Sequence, residues 1–492
     1  MGKISKDSSK TAIISFIGLG IGYVNKAVLF PLFLLQDQIG LISLLFALGA
    51  LFAQLGNLGT SHAIVRFFPF LDEKRKRSFF LFNLWIIISG LVLFIVVSFL
   101  FKEQIYGFYK KESNMFIHYA FWVYLLGAAN LFFLFFENFL KARFKVVLPV
   151  LIQEFYLRIA ASVTIVLYAI KWVDFETFLI IHLLVHLLPF LALLVIVLKD
   201  QEIVGVSTSY GIPSKFKKII IGYSALTYLN TVGSGIIFSI DTIMLAGMAG
   251  LKETGIYSTV MFMTSALLIP YRSIHRTASA FVTNHWKNKN IKELNDLYKR
   301  VSSMNLIFIS YLLLLVGWNI VEFFSFLPKE FEPGIVVFFA LSIGRFADAY
   351  CGINGYIIVT SKKYHVDIYF TFSLIVSGII LNYLLIPIYG GLGSAWATTI
   401  VITVYNGLRV FYLWKEYNLI LFEYSNLKVL LVSAIISMTL LLFPAAVMHP
   451  ILAIIIKSVF ITVVFFVLIL YFRVEPELNL FYAKIQSRYF KK

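Results

Sequence analysis

The chain has 492 residues, 60% hydrophobic and 17% aromatic, with only 14% charged and a formal net charge of +17. Long apolar runs separated by short basic gaps exclude a soluble globular enzyme, and the gaps are too short to hold a catalytic domain. The one cysteine, Cys351, lies inside an apolar run, which excludes an intramolecular disulfide and a cysteine-based metal cluster.

Fourteen apolar runs follow one another, at 11–34, 41–63, 79–101, 116–139, 148–170, 175–198, 219–247, 254–278, 303–327, 333–358, 366–387, 391–414, 428–447 and 450–472. Each is long enough to cross ~30 Å of hydrocarbon as a helix, so the expected class is an all-α polytopic protein with about 14 transmembrane spans. The first run follows Lys3, Lys6 and Lys10 as in a secretory signal. No small-residue cleavage site follows, and the run continues through Lys26 and Pro31, which predicts a retained span.

Lys and Arg alternate between the gaps. Counting the last two turns of a span with the loop it enters, about 32 of the 42 fall on the side of the N-terminus and about 6 on the other. Both termini are therefore expected in the cytoplasm of a multi-pass inner-membrane protein. The membrane accounts for the basic excess, and no nucleic-acid partner is called for.

Sliding the chain on itself by 215 residues sets Gly18 and Gly20 on Gly233 and Gly235, Lys26 on Asp241, and Gly40 on Gly255. Both copies start from the same side. The match predicts two six-span lobes related by an axis along the membrane normal: residues 1–200 (spans 1–6) and 201–420 (spans 7–12), joined by a polar cytoplasmic linker at 199–218. Spans 13 and 14, with a basic amphipathic tail, occupy 421–492. Two segments, Trp286–Val301 and the tail around Leu478, Phe481 and Ile485, are expected to lie on the cytoplasmic surface.

Several charges stand at membrane depth, where each costs ~2.5–3.5 kcal/mol on insertion scales and normally faces protein or water. They are Lys26, Glu154 and Arg158, Asp241, Arg345 and Asp348, and Lys457, with Arg272 and Arg276 in the inner part of span 8. Glu154 with Arg158, and Arg345 with Asp348, are spaced to meet on one helical face, either as structural salt bridges or as substrate contacts. Lys26 and Asp241 stand at equivalent depths, either as a gated pair or each satisfied by neighbours such as Asn25, Ser239 and Thr242. Six cations (Lys26, Arg158, Arg272, Arg276, Arg345, Lys457) against four anions (Glu137, Glu154, Asp241, Asp348) suit an anionic headgroup, arginine in particular suiting phosphate. Lys457 is expected to snorkel outward. His182 and His186 share a helix face without a third metal ligand, so hydrogen-bonded core histidines are expected there, with no metal and no cofactor.

Three segments then carry a resemblance. Gly40 to Pro69, Asp241 to Tyr257 (DTIMLAGMAGLKETGIY) and Asn382 to Thr398 (NYLLIPIYGGLGSAWAT) resemble, in order, segments of the bacterial oligosaccharide-lipid flippases of polysaccharide biosynthesis. That family lies within the multidrug/oligosaccharidyl-lipid/polysaccharide exporter superfamily. The resemblance implies two six-helix lobes in a V shape with two added helices. It implies translocation of an undecaprenyl-diphosphate-linked oligosaccharide to the outer leaflet, for surface polysaccharide or O-antigen assembly, beside a polymerase and glycosyltransferases. Relatives that move lipid II carry several arginines in the cavity of the first lobe, whereas the first span here offers only Lys26, a departure that argues against lipid II as cargo.

On this reading the protein is no enzyme. It works by alternating access through a cationic central cavity, with Lys26, Arg158, Arg272, Arg276 and Arg345 as headgroup contacts and Asp241, Asp348 and Glu154 as coupling or gating groups. The alternatives are a cation-coupled multidrug antiporter of the same superfamily and a membrane polymerase or ligase of lipid-linked sugars; the latter is disfavoured because the largest outer loop, Phe101 to Met115, holds no histidine or arginine.

Overall fold

A chain that must satisfy its backbone inside hydrocarbon has the helix as its simplest answer. In the computed structural model, which describes residues 2–200, 211–443 and 448–475 (backbone alone at 2–9, 226 and 229–238), each predicted run is built on helix and no strand occurs among the described residues. Among the described residues, ten helices are long and apolar enough to span a bilayer. One of these, Val366–Tyr417, holds two spans that turn at Gly390, whose φ of 55° and ψ of −131° no L side chain adopts without strain. The protein is an all-α, multi-pass membrane protein. The linker at 201–210 and the tail around Leu478 lie outside the described residues, as do the side-chain surroundings of Gly233 and Gly235.

The chain divides into two compact units, Met1–Thr259 with Ile386–Gly391, and Val260–Leu385 with Leu392–Lys492. In the first unit the hub is span 2, the helix Gln36–Gly56. It packs against the helices Phe121–Ala142 of span 4 and Ser214–Met248 of span 7, so span 7 lies with spans 1–6 in this unit. Glycines permit the close crossings. Gly56 meets Gly90 backbone to backbone, and the ring of Phe52 fills the place of the side chain that Gly127 lacks. A Phe-rich core of Phe68, Phe79, Phe80, Phe135 and Phe139 closes the basic end.

Gly40 and Gly255, matched by the 215-residue offset, meet in the structure. A Cβ on Gly40 would run into the carbonyl of Leu251, four residues before Gly255, and a Cβ on Gly255 into the carbonyl of Gln36, four residues before Gly40. The contact is reciprocal, as a local two-fold axis requires. Sequence repeat and packing thus select the same pair.

In the second unit, spans 9, 13 and 14 share a core of Leu306, Val429, Val432, Ile436, Ile461 and Phe465. Spans 8, 9, 10 and 12 share another, around Val282, Leu294, Tyr298, Ile357 and Leu413. Here two expectations fail. Trp286–Val301 is no separate surface helix: span 8 runs on to Lys287, and after a short turn Ile291 begins the continuous helix Ile291–Gly317. Its apolar residues, Leu294 and Tyr298, face the protein core rather than lipid headgroups. Nor does Lys457 snorkel; it is 4% exposed, its ammonium 2.7 Å from Glu322 and bonded to the Trp318 carbonyl. A buried partner satisfies the charge, so no route to the interface is needed.

Candidate functional site

Three departures from regular helix gather around one charge. The segment Val24–Leu29 of span 1, which carries Lys26, winds as a π-helix, and so does Leu151–Tyr156 of span 5, which carries Glu154. Span 6 breaks between the helices Phe175–Val185 and Leu188–Lys199, where Pro189 has no N–H to give and His186 ends the first helix. Such breaks at membrane depth persist where the backbone is held by protein or lines water, and π-turns concentrate at functional sites.

Span 1 is pressed against span 5. Gly18 lies against the Glu154 carbonyl and Gly22 against the Arg158 guanidinium, so larger residues at either place would push the helices apart. Asn25 donates to the Arg158 carbonyl (3.1 Å) and accepts from Ser162 (2.8 Å), bracing span 1 on span 5. Arg158 and Glu154 form the ion pair expected from their spacing, and both stay partly accessible, at 27% and 30% of their side-chain surface. Lys26 is exposed, close enough to Arg158, His182 and His186 for their charges to interact. An accessible lysine beside a partly accessible arginine at membrane depth is an arrangement whose charge can attract an anion.

The histidines are hydrogen-bonded, as their spacing suggested. Thr164 donates to the Ala161 carbonyl and therefore accepts from His182 Nδ1, 2.7 Å away; His186 Nδ1 donates to the His182 carbonyl at 2.7 Å. Their rings lie 4.7 Å apart, under Phe30, Phe46 and Phe178. No cluster of three metal-ligating side chains occurs among the described residues.

The remaining residues divide by unit. Asp241, in the first, is 4% exposed and accepts a 2.9 Å hydrogen bond from Tyr257, the tyrosine that closes the same sequence motif. In the second unit Arg272 and Arg276 stand exposed on span 8 and form no ion pair among the described residues. Arg345 and Asp348 do not pair, contrary to their spacing. Asp348 accepts from Asn406 at 3.1 Å, while Arg345 is 8% exposed and its Nε finds no acceptor. Glu137 is tied to Lys141 at 2.9 Å.

The second unit also holds a cavity of about 900 Å³, walled by Trp318, Phe339, Phe346, Leu430 and Leu440, with the Lys457–Glu322 pair at its edge. It is apolar, with Ser433 and Ser437 among its few polar groups.

Neither a family model nor a curated protein matches the sequence. Solved structures do match. The lipid II flippase MurJ in an inward closed conformation superposes with a TM-score of 0.68 at 17% identity, over 93% of this chain and 98% of that one. An inward-facing multidrug resistance MATE-family transporter of the MOP superfamily gives 0.63 at 13% identity, over 82% and 94%. A MOP-superfamily transporter from Pyrococcus furiosus, described as having a binding pocket of reversed polarity, gives 0.54 at 12% identity, over 84% and 96%. The fold is that of the MOP-superfamily transporters. Identities this low show the fold alone, and the residues that distinguish one carrier from another must be read from this chain.

Four partners escaped the sequence reading: Tyr257 for Asp241, Glu322 for Lys457, Asn406 for Asp348, and Glu253, whose carboxylate accepts from Gly391 N–H at 2.9 Å at the turn between spans 11 and 12. Of these only Tyr257 and Glu253 carried a signal, since both stand in the Asp241–Tyr257 segment that supported the resemblance.

Proposed function

We propose that the protein is a flippase that moves an undecaprenyl-diphosphate-linked oligosaccharide from the cytoplasmic to the outer leaflet of a bacterial inner membrane, by alternating access. The observation that carries this reading is the exposed Lys26 on a π-turn, next to Arg158 and two histidines, at membrane depth. A diphosphate needs cations there, and a drug cation would be repelled; this sets the reading above the multidrug antiporter, which shares the fold. Arg272, Arg276 and Arg345 are the further candidate headgroup contacts, and Asp348 and Glu154 are the candidate coupling groups, whereas Asp241, buried against Tyr257, serves better as a structural charge than as a coupling group. The apolar cavity of the second unit suits the polyprenyl chain, which has no need of polar contacts. An inside-negative potential favours outward movement of the anionic head by ~2.3 kcal/mol per charge per 100 mV.

The test is transport by protein reconstituted in vesicles, with a fluorescent undecaprenyl-diphosphate-linked sugar as cargo and accessibility of the sugar as readout. Wild type is expected to move it and Lys26→Ala to lose most of the rate. Undiminished transport by Lys26→Ala would remove the cationic site from the mechanism, and expulsion of ethidium without lipid transport would favour the antiporter.

A further inference from the structure

Lys26 has a second kind of neighbour whose chemistry the carrier reading leaves unused. His182 and His186 are each held by an Nδ1 hydrogen bond, one with Thr164 and one with the His182 carbonyl. Those bonds fix the proton on Nδ1, so in the neutral rings each Nε2 carries a lone pair. Among the described residues neither Nε2 has a hydrogen-bond partner. The two rings differ in access. His182 is 2% exposed and packed against Phe30, Phe46 and Phe178, whereas His186, at the break of span 6, is half-buried and meets only Phe46 and the ring of His182. The charges that reach the pair are Lys26 on span 1 and, beyond it, Arg158 on span 5 with its partner Glu154.

Beside Lys26 and Arg158 an empty site disfavours a third positive charge. An anion lodged there reverses that preference, because it supplies negative charge and an acceptor for an N–H. We propose that His186 is a headgroup contact that takes up one proton at Nε2 when the phosphate-bearing head of the cargo binds beside Lys26, with His182 as the positioning residue that fixes its ring. The proton comes from water and leaves with the anion, so loading is linked to pH and release returns the proton. This rests on the anion-carrier reading and adds to it a proton stoichiometry.

Linkage sets the sign: a proton bound with the ligand makes binding tighter at low pH, by about tenfold per unit where uptake is complete. The experiment measures binding of undecaprenyl-diphosphate-linked N-acetylglucosamine to the full-length protein in detergent between pH 5.5 and 8. This probe is a diphosphate diester with no group of its own titrating there. Wild type is expected to lose affinity about tenfold per unit across at least one unit. His186→Gln should bind with a flat profile, and His186→Lys should hold tight binding to pH 8, also flat; this second variant decides the question if the first fails to fold. Lys26→Ala should bind more weakly throughout. His182→Gln, lacking the positioning ring, should reduce the slope while Thr164→Ser leaves it unchanged. A slope that survives in His186→Gln or His186→Lys overturns this inference and leaves the carrier reading intact. A wild type that binds the lipid at no pH overturns both.

Discussion

Span 1 around Lys26 and span 7 around Asp241 stand 215 residues apart and carry a charge 14 residues ahead of glycines that touch each other, yet the two charges are held in opposite ways. Around Lys26 the helix loosens into a π-turn and the charge stays accessible. Around Asp241 the helix is regular, and the carboxylate is shut away against Tyr257. The pair teaches that depth in the membrane does not mark a functional charge by itself. The local winding and the accessibility do, because a cargo group must be met by water-facing atoms while a structural charge must be kept from water by its partner.

The strongest way to break the comparison is at the place where the two halves are alike. Gly40→Leu and Gly255→Leu each drive a side chain into a carbonyl of the facing helix, where only backbone movement gives relief. Each is expected to cost about 3 kcal/mol or more, enough to lose the monodisperse peak on size-exclusion after heating. Equal effects support a two-fold crossing. A tolerated substitution at one position alone would show that the halves have diverged there as well.

The next sharpens the contrast between the two charges. Lys26→Ala removes a charged contact to the cargo and is expected to slow vesicle transport by about ten- to a hundredfold, following the ~1.5–3 kcal/mol of a hydrogen bond to a charged group, with thermal stability little changed. Asp241→Asn should behave in the opposite way, keeping most of the transport and lowering the unfolding temperature. A reversed pattern would make Asp241 the working charge and Lys26 the structural one.

That contrast also measures what the sequence made legible. Apolar run lengths marked where the helices lie, because span length follows from a one-dimensional rule of the bilayer. The Glu154–Arg158 pair was readable for the same reason, since i, i+4 contacts lie within one helix. Partners on other helices were not. Glu322, 135 positions before Lys457, lies near the end of the run 303–327 on another helix, and nothing in the sequence ties it to the lysine until packing brings the two together. Arg345 and Asp348 had the right spacing and still do not pair, because Asn406 on span 12 claims the carboxylate. The π-turns left no mark in the sequence, since one extra residue per turn does not alter apolar composition.

Tyr257→Phe takes away the hydroxyl that donates to Asp241. A buried carboxylate short of one donor costs about 1–3 kcal/mol, so a lowered unfolding temperature with near-normal transport is expected. Combining it with Asp241→Asn should cost less than the sum of the two, because the second change removes the charge that the first left underserved. Simple additivity would mean that the hydroxyl and the carboxylate act independently.

The smallest effect probes the brace on the other side of the comparison. Ser162 donates to both Asn25 (2.8 Å) and the Arg158 carbonyl (2.9 Å), so it ties the π-segment of span 1 to the helix that follows the π-segment of span 5, through a hydroxyl that shares one proton between two acceptors. Ser162→Ala leaves Asn25 bonded to the Arg158 carbonyl and removes only a shared bond, worth about 0.5–1.5 kcal/mol. If the π-turns serve to hold Lys26 and Arg158 at a fixed separation for a diphosphate, that small loss should appear mainly as weaker cargo binding, by about two- to tenfold, and hardly at all in the unfolding temperature. If it appears only in stability, the brace is ordinary helix packing. The accessible lysine would then owe its position to the backbone winding alone.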